Sequence, residues 1–393
     1  MEEYINNDKK LGLKYDFNLV KKEFKKLKIP KDVYNPSKLP LDVAKWYISM
    51  SPRGVGKTTN ILLLGMIMNK LYGTEIQYIR FHESMIMNKN IKDIFEVIIQ
   101  FKYIEKLTDG KYDNVIYKAR RWYYCKYLDD GTCEIADNHF MMCLSVDKNE
   151  TYKSTYNAPK GDFILVDEFI EKYYLDSYFI DMVDLFKTIG RDRLSPIIFL
   201  SANTIDKFHP FFHELQISDY VEIMEMGDKK LVTTELGTNL YVEIINKFTL
   251  DKKSNDIKSE VNRLYYGFSN PKMSSITGNE SWNVTIYPHP PKEFEIHRRN
   301  FYISYLDKLI NLEICSSGRV MFLNCHLATK TYNDSIIFTN KKDVFDNRQF
   351  YGFGNGKFHR IIWTLIEQKK VTYQTNDVGA IVENYINSIK MNR

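Results

Sequence analysis

One stretch decides the fold, and it reads WYISMSPRGVGKTTNILLLGMIM over residues 46–68. The apolar pentapeptide Trp46 to Met50 predicts a buried strand, and the apolar run from about Thr58 to Leu71 predicts a helix. A glycine-containing loop joins the two. A strand, a glycine loop and a helix in this order are typical of the loops whose backbone N–H groups surround a phosphate at a helix start. The stretch therefore predicts an α/β fold with a nucleotide site after its first strand.

The residue types in this loop match the needs of a bound triphosphate. Lys57 is expected to neutralise the β and γ oxygens of ATP, and the Thr58 hydroxyl to ligate Mg²⁺. The first position of the pattern is usually Gly and here is Ser51, so the opening turn cannot use the freedom of glycine at positive φ. Arg53 would contact the γ-phosphate or a neighbouring subunit, with a solvated arginine as the alternative. The predicted nucleotide-binding residues are Ser51, Pro52, Arg53, Gly54, Val55, Gly56, Lys57, Thr58 and Thr59.

A third predicted strand, after a second at Glu75 to Phe81, ends in two acids about 110 residues after the lysine. The apolar segment Phe163 to Val166 is followed by Asp167 and Glu168. Asp167 is expected to hold Mg²⁺ through water, and Glu168 to polarise the attacking water. The pair predicts hydrolysis rather than binding alone. The alternatives are an ordinary strand end, an accidental glycine-rich turn at residues 51–58, or a loop that binds nucleotide without hydrolysing it.

Two further segments predict catalytic residues. The strand Ile197 to Leu200 is followed by polar residues, of which Asn203 would sense the γ-phosphate or position the lytic water; a polar strand end without such a role is the alternative. Before this strand, Arg191 and Arg193, with Lys187 one turn earlier, lie where an arginine finger is offered to a neighbour's ATP. That reading implies a ring, and a solvated basic loop is the alternative.

Composition bounds the class of protein. The chain has 393 residues, 44% of them hydrophobic, which favours two domains over one. Its net charge of +5 is too small to indicate a nucleic-acid partner by itself. The five cysteines are spread without ligand spacing, which predicts neither a disulfide framework nor a zinc site. The N-terminus lacks a signal pattern, and the apolar run Ile61 to Met68 is too short for a bilayer, so an intracellular protein without a membrane is expected.

The chain divides into three regions by pattern. Residues 1–226 are predicted to form an N-terminal arm and a parallel-sheet ATPase domain with helices on both faces. Residues 227–285 are polar and then rich in Pro, Gly, Asn and Ser, which indicates a linker or lid. Residues 286–393 resume with short strands and end in a helix from about Val378, which predicts a smaller α+β domain.

Beyond the phosphate loop, several elements resemble the short packaging ATPases of small podoviruses, the motors that sit on the prohead with a packaging RNA. The resemblance is good over roughly residues 33–215 and weak beyond. It rests on Tyr34-Asn35-Pro36, Arg53, Val166-Asp167-Glu168-Phe169, the Arg-acid-Arg element at 191–193, Leu200-Ser201-Ala202-Asn203 and Pro210-Phe211-Phe212.

This resemblance implies a P-loop ATPase of the additional-strand, catalytic-glutamate (ASCE) type. It implies a homopentameric ring that drives double-stranded DNA through the portal into a procapsid, in the host cytoplasm, with a packaging RNA as partner. By the same resemblance, Tyr34 and Asn35 would lie near the adenine. Lys153, in the predicted loop Lys148 to Lys160, would face DNA in the pore.

The C-terminal region is expected to resemble the RNase H-like nuclease domain of larger terminases without its chemistry. Such a nuclease needs several carboxylates to hold two metal ions, whereas Asp307 falls in a predicted turn and Glu313 stands alone in an apolar strand. The stretch 348–360 interleaves cations and aromatics around glycines, as single-stranded nucleic-acid surfaces do. Arg348, Lys357 and Arg360 are therefore predicted to contact RNA or DNA, and core packing of the aromatics is the alternative.

Three competing functions remain at this point. A helicase-like or plasmid-partition ATPase would share the core without needing a procapsid. A terminase with an active C-terminal nuclease would also cut DNA. A nucleotide-gated scaffold would bind ATP without turning it over.

Overall fold

The computed structural model describes residues 15–171, 174–175, 177–203, 205–246, 295–317, 320–342, 346–354 and 356–391. The described chain forms two compact units. Among the described residues, the first unit holds those within 15–170, 177–205 and 219–246, and the second holds those within 171–175, 206–218 and 295–391. No helix in the described part of the chain combines the length and the apolar character needed to cross a membrane.

Ten of the described strands build one sheet in the first unit. These strands are β1 (Trp46–Met50), β2 (Ile76–Arg80), β3 (Asn114–Lys118), β4 (Arg121–Tyr127), β5 (Cys133–Ile135), β6 (Met141–Ser145), β7 (Phe163–Asp167), β8 (Ile197–Ala202), β9 (Lys229–Thr233) and β10 (Asn239–Ile244). Their order is β3-β4-β6-β2-β7-β8-β1-β10-β9, with β5 paired to β4. The six strands from β6 to β10 in this order run parallel, and antiparallel strands flank them.

The helices of the described chain are α1 (Phe17–Lys26), α2 (Lys57–Tyr72), α3 (Asn88–Ile91), α4 (Glu96–Gln100), α5 (Tyr103–Leu107), α6 (Asn149–Thr155), α7 (Tyr178–Gly190), α8 (Pro210–Glu214), α9 (Ser218–Glu222), α10 (Lys357–Glu367) and α11 (Asn376–Met391). Short 3₁₀ turns occur at Pro36–Lys38, Glu83–Ile86 and Val146–Lys148.

The central strands are apolar on both faces because the sheet is covered on both sides. Strand β7 is buried along its whole length, as is expected of a strand in the middle of a parallel sheet. Helix α2 is apolar almost all round, and its residues from Asn60 to Met68 are buried. Helix α1 packs on α2, and the Asp16 side chain caps α1 by accepting from the backbone N–H of Asn18 at 2.9 Å.

The sheet extends past the boundary that the sequence pattern places at residue 226. Strands β9 and β10 lie within the region 227–285 that the pattern indicates as a linker or lid, and β10 pairs in parallel with β1. Both strands are short and carry polar residues, and β10 reaches its partner only through a long connection. The hydrophobic pattern of a short segment cannot predict this strand pairing, because the partner strand lies nearly 200 residues away in the sequence.

Gly65 lies in the middle of α2, where glycine costs helix stability relative to alanine. A Cβ at this position would be 2.8 Å from Ile76 Cδ1 and 3.0 Å from Phe163 Cδ1, two residues of the buried sheet. We expect Gly65→Ala to lower the free energy of unfolding by about 1–3 kcal/mol through overpacking, despite the gain in helix propensity. Chemical denaturation measures the change.

The control is Gly190→Ala at the end of α7, where the nearest atom to the new Cβ is 3.4 Å away. A Gly65→Ala variant as stable as the Gly190→Ala control would show that α2 does not need its close approach to the sheet.

The second unit contains a mixed sheet of six described strands. Their bounds are β11 (Glu295–Tyr305), β12 (Lys308–Ser317), β13 (Val320–Leu327), β14 (Ile336–Thr339), β15 (Gln349–Tyr351) and β16 (Val371–Tyr373). The order is β15-β14-β11-β12-β13-β16, with β11, β12 and β13 antiparallel and the other pairings parallel. Helices α10 and α11 contribute apolar residues such as Ile362, Leu365, Val382 and Ile386 to the core beside this sheet.

Candidate functional site

The loop between β1 and α2 turns through two glycines with positive φ, as the predicted phosphate-binding loop requires. Gly54 and Gly56 have φ of 82° and 79°, in the left-handed region that glycine adopts without strain. Gly56 is the N-cap of α2, so the first backbone N–H groups of that helix lie directly after the loop. Ser51 has no positive φ; its backbone N–H donates to Ala202 O at 3.1 Å. The missing glycine at the first position is therefore no obstacle to the turn.

Lys57 is held inside the loop. Its side chain is nearly inaccessible, and Nζ donates to Ser51 Oγ and to Asn203 Oδ1, the latter at 3.0 Å. Burial lowers the pKa of Lys57 to about 8, against the opposing charges of Asp167, Glu168 and Glu243. The Lys57 ammonium is therefore surrounded by oxygen acceptors, and in the predicted complex phosphate oxygens would join them.

Thr58 and Asp167 are in direct contact. Thr58 Oγ1 donates to Asp167 Oδ1 at 2.8 Å, and Asp167 Oδ2 accepts from Tyr78 OH at 2.9 Å and from Arg80 Nη1 at 3.3 Å. Burial raises the pKa of Asp167, and the positive charge of Arg80 and the hydrogen bond from Thr58 oppose that rise. A hydroxyl and a carboxylate are the hard oxygen donors that Mg²⁺ prefers beside substrate phosphates, so the donor set fits this ion.

Glu168 follows β7 with φ of 56°, an unusual value for a residue other than glycine. Its Oε1 accepts from Asn203 Nδ2 at 3.0 Å, and its Oε2 accepts from Arg80 Nη2. Strained backbone of this kind is often found at functional sites. The carboxylates of Asp167 and Glu168 both contact the guanidinium of Arg80.

Four predicted residues thus meet at one edge of the sheet. Strands β1, β7 and β8 are parallel and neighbouring, so their carboxyl ends bring Lys57, Asp167, Glu168 and Asn203 together. Arg80, at the carboxyl end of β2, was missed by the sequence analysis although it bridges both acids. A charged residue that closes an apolar parallel strand is the signal that could have found it.

The remaining predicted nucleotide-binding residues differ in their exposure. Arg53 is exposed, Val55 is buried and Thr59 is half-buried at the start of α2. Before the loop, the Tyr34 ring is buried, with its hydroxyl bonded to Glu243 and Ser49. Asn35 Oδ1 accepts from Ser37 N at 3.0 Å. A contact of Tyr34 or Asn35 with adenine stays a prediction.

The candidate fingers lie at the opposite edge of the sheet. Arg191 and Arg193 precede β8, whose six residues span roughly 20 Å. Arg193 is tied inside its own chain, with Nε 2.9 Å from Asp162 Oδ1 and Nη2 bonded to two backbone carbonyls. Arg191 is exposed, donates to Tyr156 O at 3.2 Å and has φ of 48°. Lys187, on α7, is exposed.

The predicted nucleic-acid contacts differ in their surroundings. Lys153 lies on α6 rather than in a loop, 2.5 Å from Glu150 Oε1 and 3.2 Å from Asp184 Oδ2. Arg348 makes a forked pair with Asp346, with Nη2 2.7 Å from Oδ2. Lys357 and Arg360 are exposed on α10.

The aromatic residues around Arg348 divide between core and surface. Phe353 and His359 are buried, whereas Phe350 and Phe358 keep more than a third of their surface exposed. Core packing therefore accounts for Phe353 and His359, and the two partly exposed rings also have aromatic partners, Phe350 with His359 and Phe358 with Phe301.

Two solved structures share this fold. The Phi-28 gp11 DNA packaging motor is 14% identical, with a TM-score of 0.53, and the match covers 92% of this chain and 98% of that one. The bacteriophage Phi-29 viral genome packaging motor assembly is 16% identical, with a TM-score of 0.54, over 91% of this chain and 99% of that one. No protein-family model and no curated protein sequence matches the chain. The resemblance to phage packaging ATPases is therefore confirmed at the level of the fold.

Proposed function

We propose that the protein is an ATPase that drives double-stranded viral DNA into a procapsid as one subunit of a ring-shaped motor. One observation carries the proposal: Lys57, Thr58, Asp167, Glu168 and Asn203 converge at the carboxyl edge of the parallel sheet. The fold shared with two phage packaging motors supplies the context of DNA packaging. Such a motor works at the procapsid in the host cytoplasm.

The chemistry follows from the residues that meet at this edge. Backbone N–H groups of the loop and the Lys57 ammonium bind the β and γ phosphates of ATP. Thr58 and Asp167 would hold Mg²⁺, which supplies charge neutralisation at those oxygens when bound. Glu168 accepts a proton from the attacking water as a general base. Each of its oxygens accepts one hydrogen bond in this structure, from Arg80 or from Asn203, and keeps a second lone pair that can accept from the attacking water.

The strand order supports the additional-strand, catalytic-glutamate type of ATPase. Strand β8 lies between β1, which leads into the phosphate loop, and β7, which ends in the acids. Asn203, just past the end of β8, contacts both Lys57 and Glu168. An inserted strand therefore places a polar side chain between the phosphate-binding lysine and the predicted base.

The position of the arginines supports assembly into a ring. An arginine finger must reach the γ-phosphate, and Arg191 lies roughly 20 Å from the nucleotide edge of its own sheet. It can serve only the ATP of a neighbouring subunit. We assign the finger to Arg191 rather than Arg193, because the guanidinium of Arg193 is committed to Asp162 and to backbone carbonyls. Five subunits are proposed by resemblance to the podovirus motors.

The C-terminal region is proposed to be an RNase H-like domain that has lost nuclease chemistry. Its three antiparallel strands, extended by β14 and β15 in parallel, support the comparison. Asp307 lies in the β11–β12 turn, and Glu313 is six residues along β12 beside His326. Six residues of strand separate these acids by roughly 20 Å, too far to share two metal ions.

The exposed cations of the second unit are proposed to bind the packaging RNA or the DNA backbone, chiefly through Lys357 and Arg360. Contacts to phosphates do not depend on the nucleotide sequence, and a motor that accepts a whole genome requires such contacts. Lys153 of the first unit stays a proposed DNA contact, although its ammonium is bound to two carboxylates in this structure.

The proposed function is tested by mixing purified protein with proheads, DNA and Mg-ATP. Two quantities are measured: the phosphate released and the amount of DNA protected from nuclease. We expect wild-type protein to give both signals. Lys57→Ala should give neither, because it removes the charge that binds the phosphates. ATP hydrolysis without protected DNA would favour a helicase-like or partition ATPase, and metal-dependent DNA cutting would favour an active terminase.

A further inference from the structure

A buried carboxylate lies beside the phosphate-loop strand and has no role in the chemistry above. Glu243 belongs to β10, directly opposite Ser49 of β1, and only 2% of its surface is exposed. A carboxylate in such a place is costly unless it is hydrogen-bonded. Its partners therefore indicate what it holds in position.

Two hydroxyl groups donate hydrogen bonds to the side chain of Glu243, and one ammonium lies nearby. Its Oε1 accepts from Tyr34 OH at 2.6 Å and from Ser49 Oγ at 2.8 Å. The two hydroxyl oxygens are 3.1 Å from each other, and Oε2 is 3.9 Å from Lys229 Nζ on β9. Burial, and then the charge of Glu243, raise the pKa of Tyr34 well above its usual value, so its hydroxyl stays a donor.

The backbone of Tyr34 touches the nucleotide site at two points. Its N–H donates to Val55 O in the phosphate loop at 2.8 Å. Its C=O accepts from Asn60 Nδ2, near the start of α2, at 2.6 Å. Tyr34 thus joins the phosphate loop, the first turns of α2 and, through its hydroxyl, strands β1 and β10.

We propose that Glu243 is a positioning residue for ATP binding, which fixes the Tyr34 hydroxyl so that the Tyr34 backbone holds the phosphate loop in its binding conformation. The inference rests on the proposed function, because it assigns a role in the same nucleotide site. Tyr34 acts here through its backbone and its hydroxyl, with its ring buried. Glu243 is assigned to act through Tyr34 and not on the reacting atoms, so it is not a catalytic residue.

The effect should appear in ATP affinity and leave the chemical step alone. A loop that is less well positioned must be ordered when ATP binds, which weakens binding. The groups that act on the reacting atoms, Lys57 and Glu168, do not contact Glu243 in any described hydrogen bond. A purely structural role would lower thermal stability and the folded fraction, with the affinity of the folded protein unchanged.

Four variants separate these possibilities. Tyr34→Phe removes the hydroxyl and keeps the ring. Glu243→Ala removes the acceptor, whereas Glu243→Gln keeps one oxygen that can accept from Tyr34. Glu235→Gln is the matched control, since Glu235 is exposed in the turn between β9 and β10.

Binding of a fluorescent ATP analogue with Mg²⁺ is measured well below the melting temperature, followed by steady-state kinetics. We expect Tyr34→Phe and Glu243→Ala to raise Kd and KM about tenfold, equivalent to about 1.4 kcal/mol, with kcat changed less than about twofold. Glu243→Gln should recover most of the affinity, and Glu235→Gln should match wild type. A fifth variant combines Tyr34→Phe with Glu243→Ala. Because Tyr34 and Glu243 act as one unit, this double variant should bind the analogue no more weakly than either single variant.

The outcomes distinguish this inference from the function on which it rests. If wild-type protein binds the analogue but does not hydrolyse ATP, the proposed function fails while the binding series still tests Glu243. Wild-type affinity in Tyr34→Phe overturns the inference even if Glu243→Ala does not fold. Wild-type protein that ignores the analogue overturns both.

Discussion

ATP turnover is expected to fall by about 10²- to 10⁴-fold when Glu168 is replaced by Gln, with Mg-ATP still bound. Gln keeps the size of the side chain but cannot accept the proton of the attacking water. The phosphate-binding groups, including Lys57 and the loop N–H groups, are untouched by this change. Steady-state phosphate release at saturating ATP measures the loss, and binding of a fluorescent ATP analogue checks that affinity is kept.

Glu96→Gln is the control for this change, since Glu96 is an exposed glutamate on α4. It should leave both turnover and binding at wild-type values. Normal hydrolysis by Glu168→Gln would remove Glu168 from the role of general base. Loss of ATP binding in the same variant would instead mean that the carboxylate shapes the empty site, through its bonds to Arg80 and Asn203.

The phosphate loop and the acidic strand could be predicted from the sequence because their signals are local. A strand, a glycine loop and a helix occupy neighbouring residues, and the bounds of β1 agree with the predicted Trp46 to Met50. Asp167 and Glu168 follow an apolar run in the same way. Each of these features depends on residues that are adjacent in the chain, so patterning is enough to find them.

The remaining contacts of the site depend on strand order, which the pattern does not give. Arg80 reaches the acids only because β2 lies next to β7. Glu243 reaches Tyr34 only because β10 adds to the sheet beside β1. The same limit applies to the basic loop before β8, where two arginines look equivalent until the buried Asp162 is seen to bind one of them.

Arg191→Ala is expected to lower ATP turnover in the assembled motor by about 10³-fold, with Mg-ATP affinity unchanged, because it removes the charge that a neighbour places on the γ-phosphate.

Arg193→Ala should act differently. It leaves the buried carboxylate of Asp162 with Tyr15 but without its cation, so the free energy of unfolding should fall by about 3 kcal/mol. ATPase assays with proheads and DNA, and chemical denaturation of each variant, separate the two effects.

Mixed rings show whether Arg191 acts between subunits. An Arg191→Ala subunit retains its own Glu168, and a Glu168→Gln subunit retains its own Arg191, so each is inactive alone for a different reason. Where the two are neighbours, the second can offer its arginine to the intact site of the first. Turnover in the mixture should therefore exceed the sum of the separate preparations. A mixture no more active than that sum, or full turnover by Arg191→Ala alone, would show that the finger lies elsewhere in the chain.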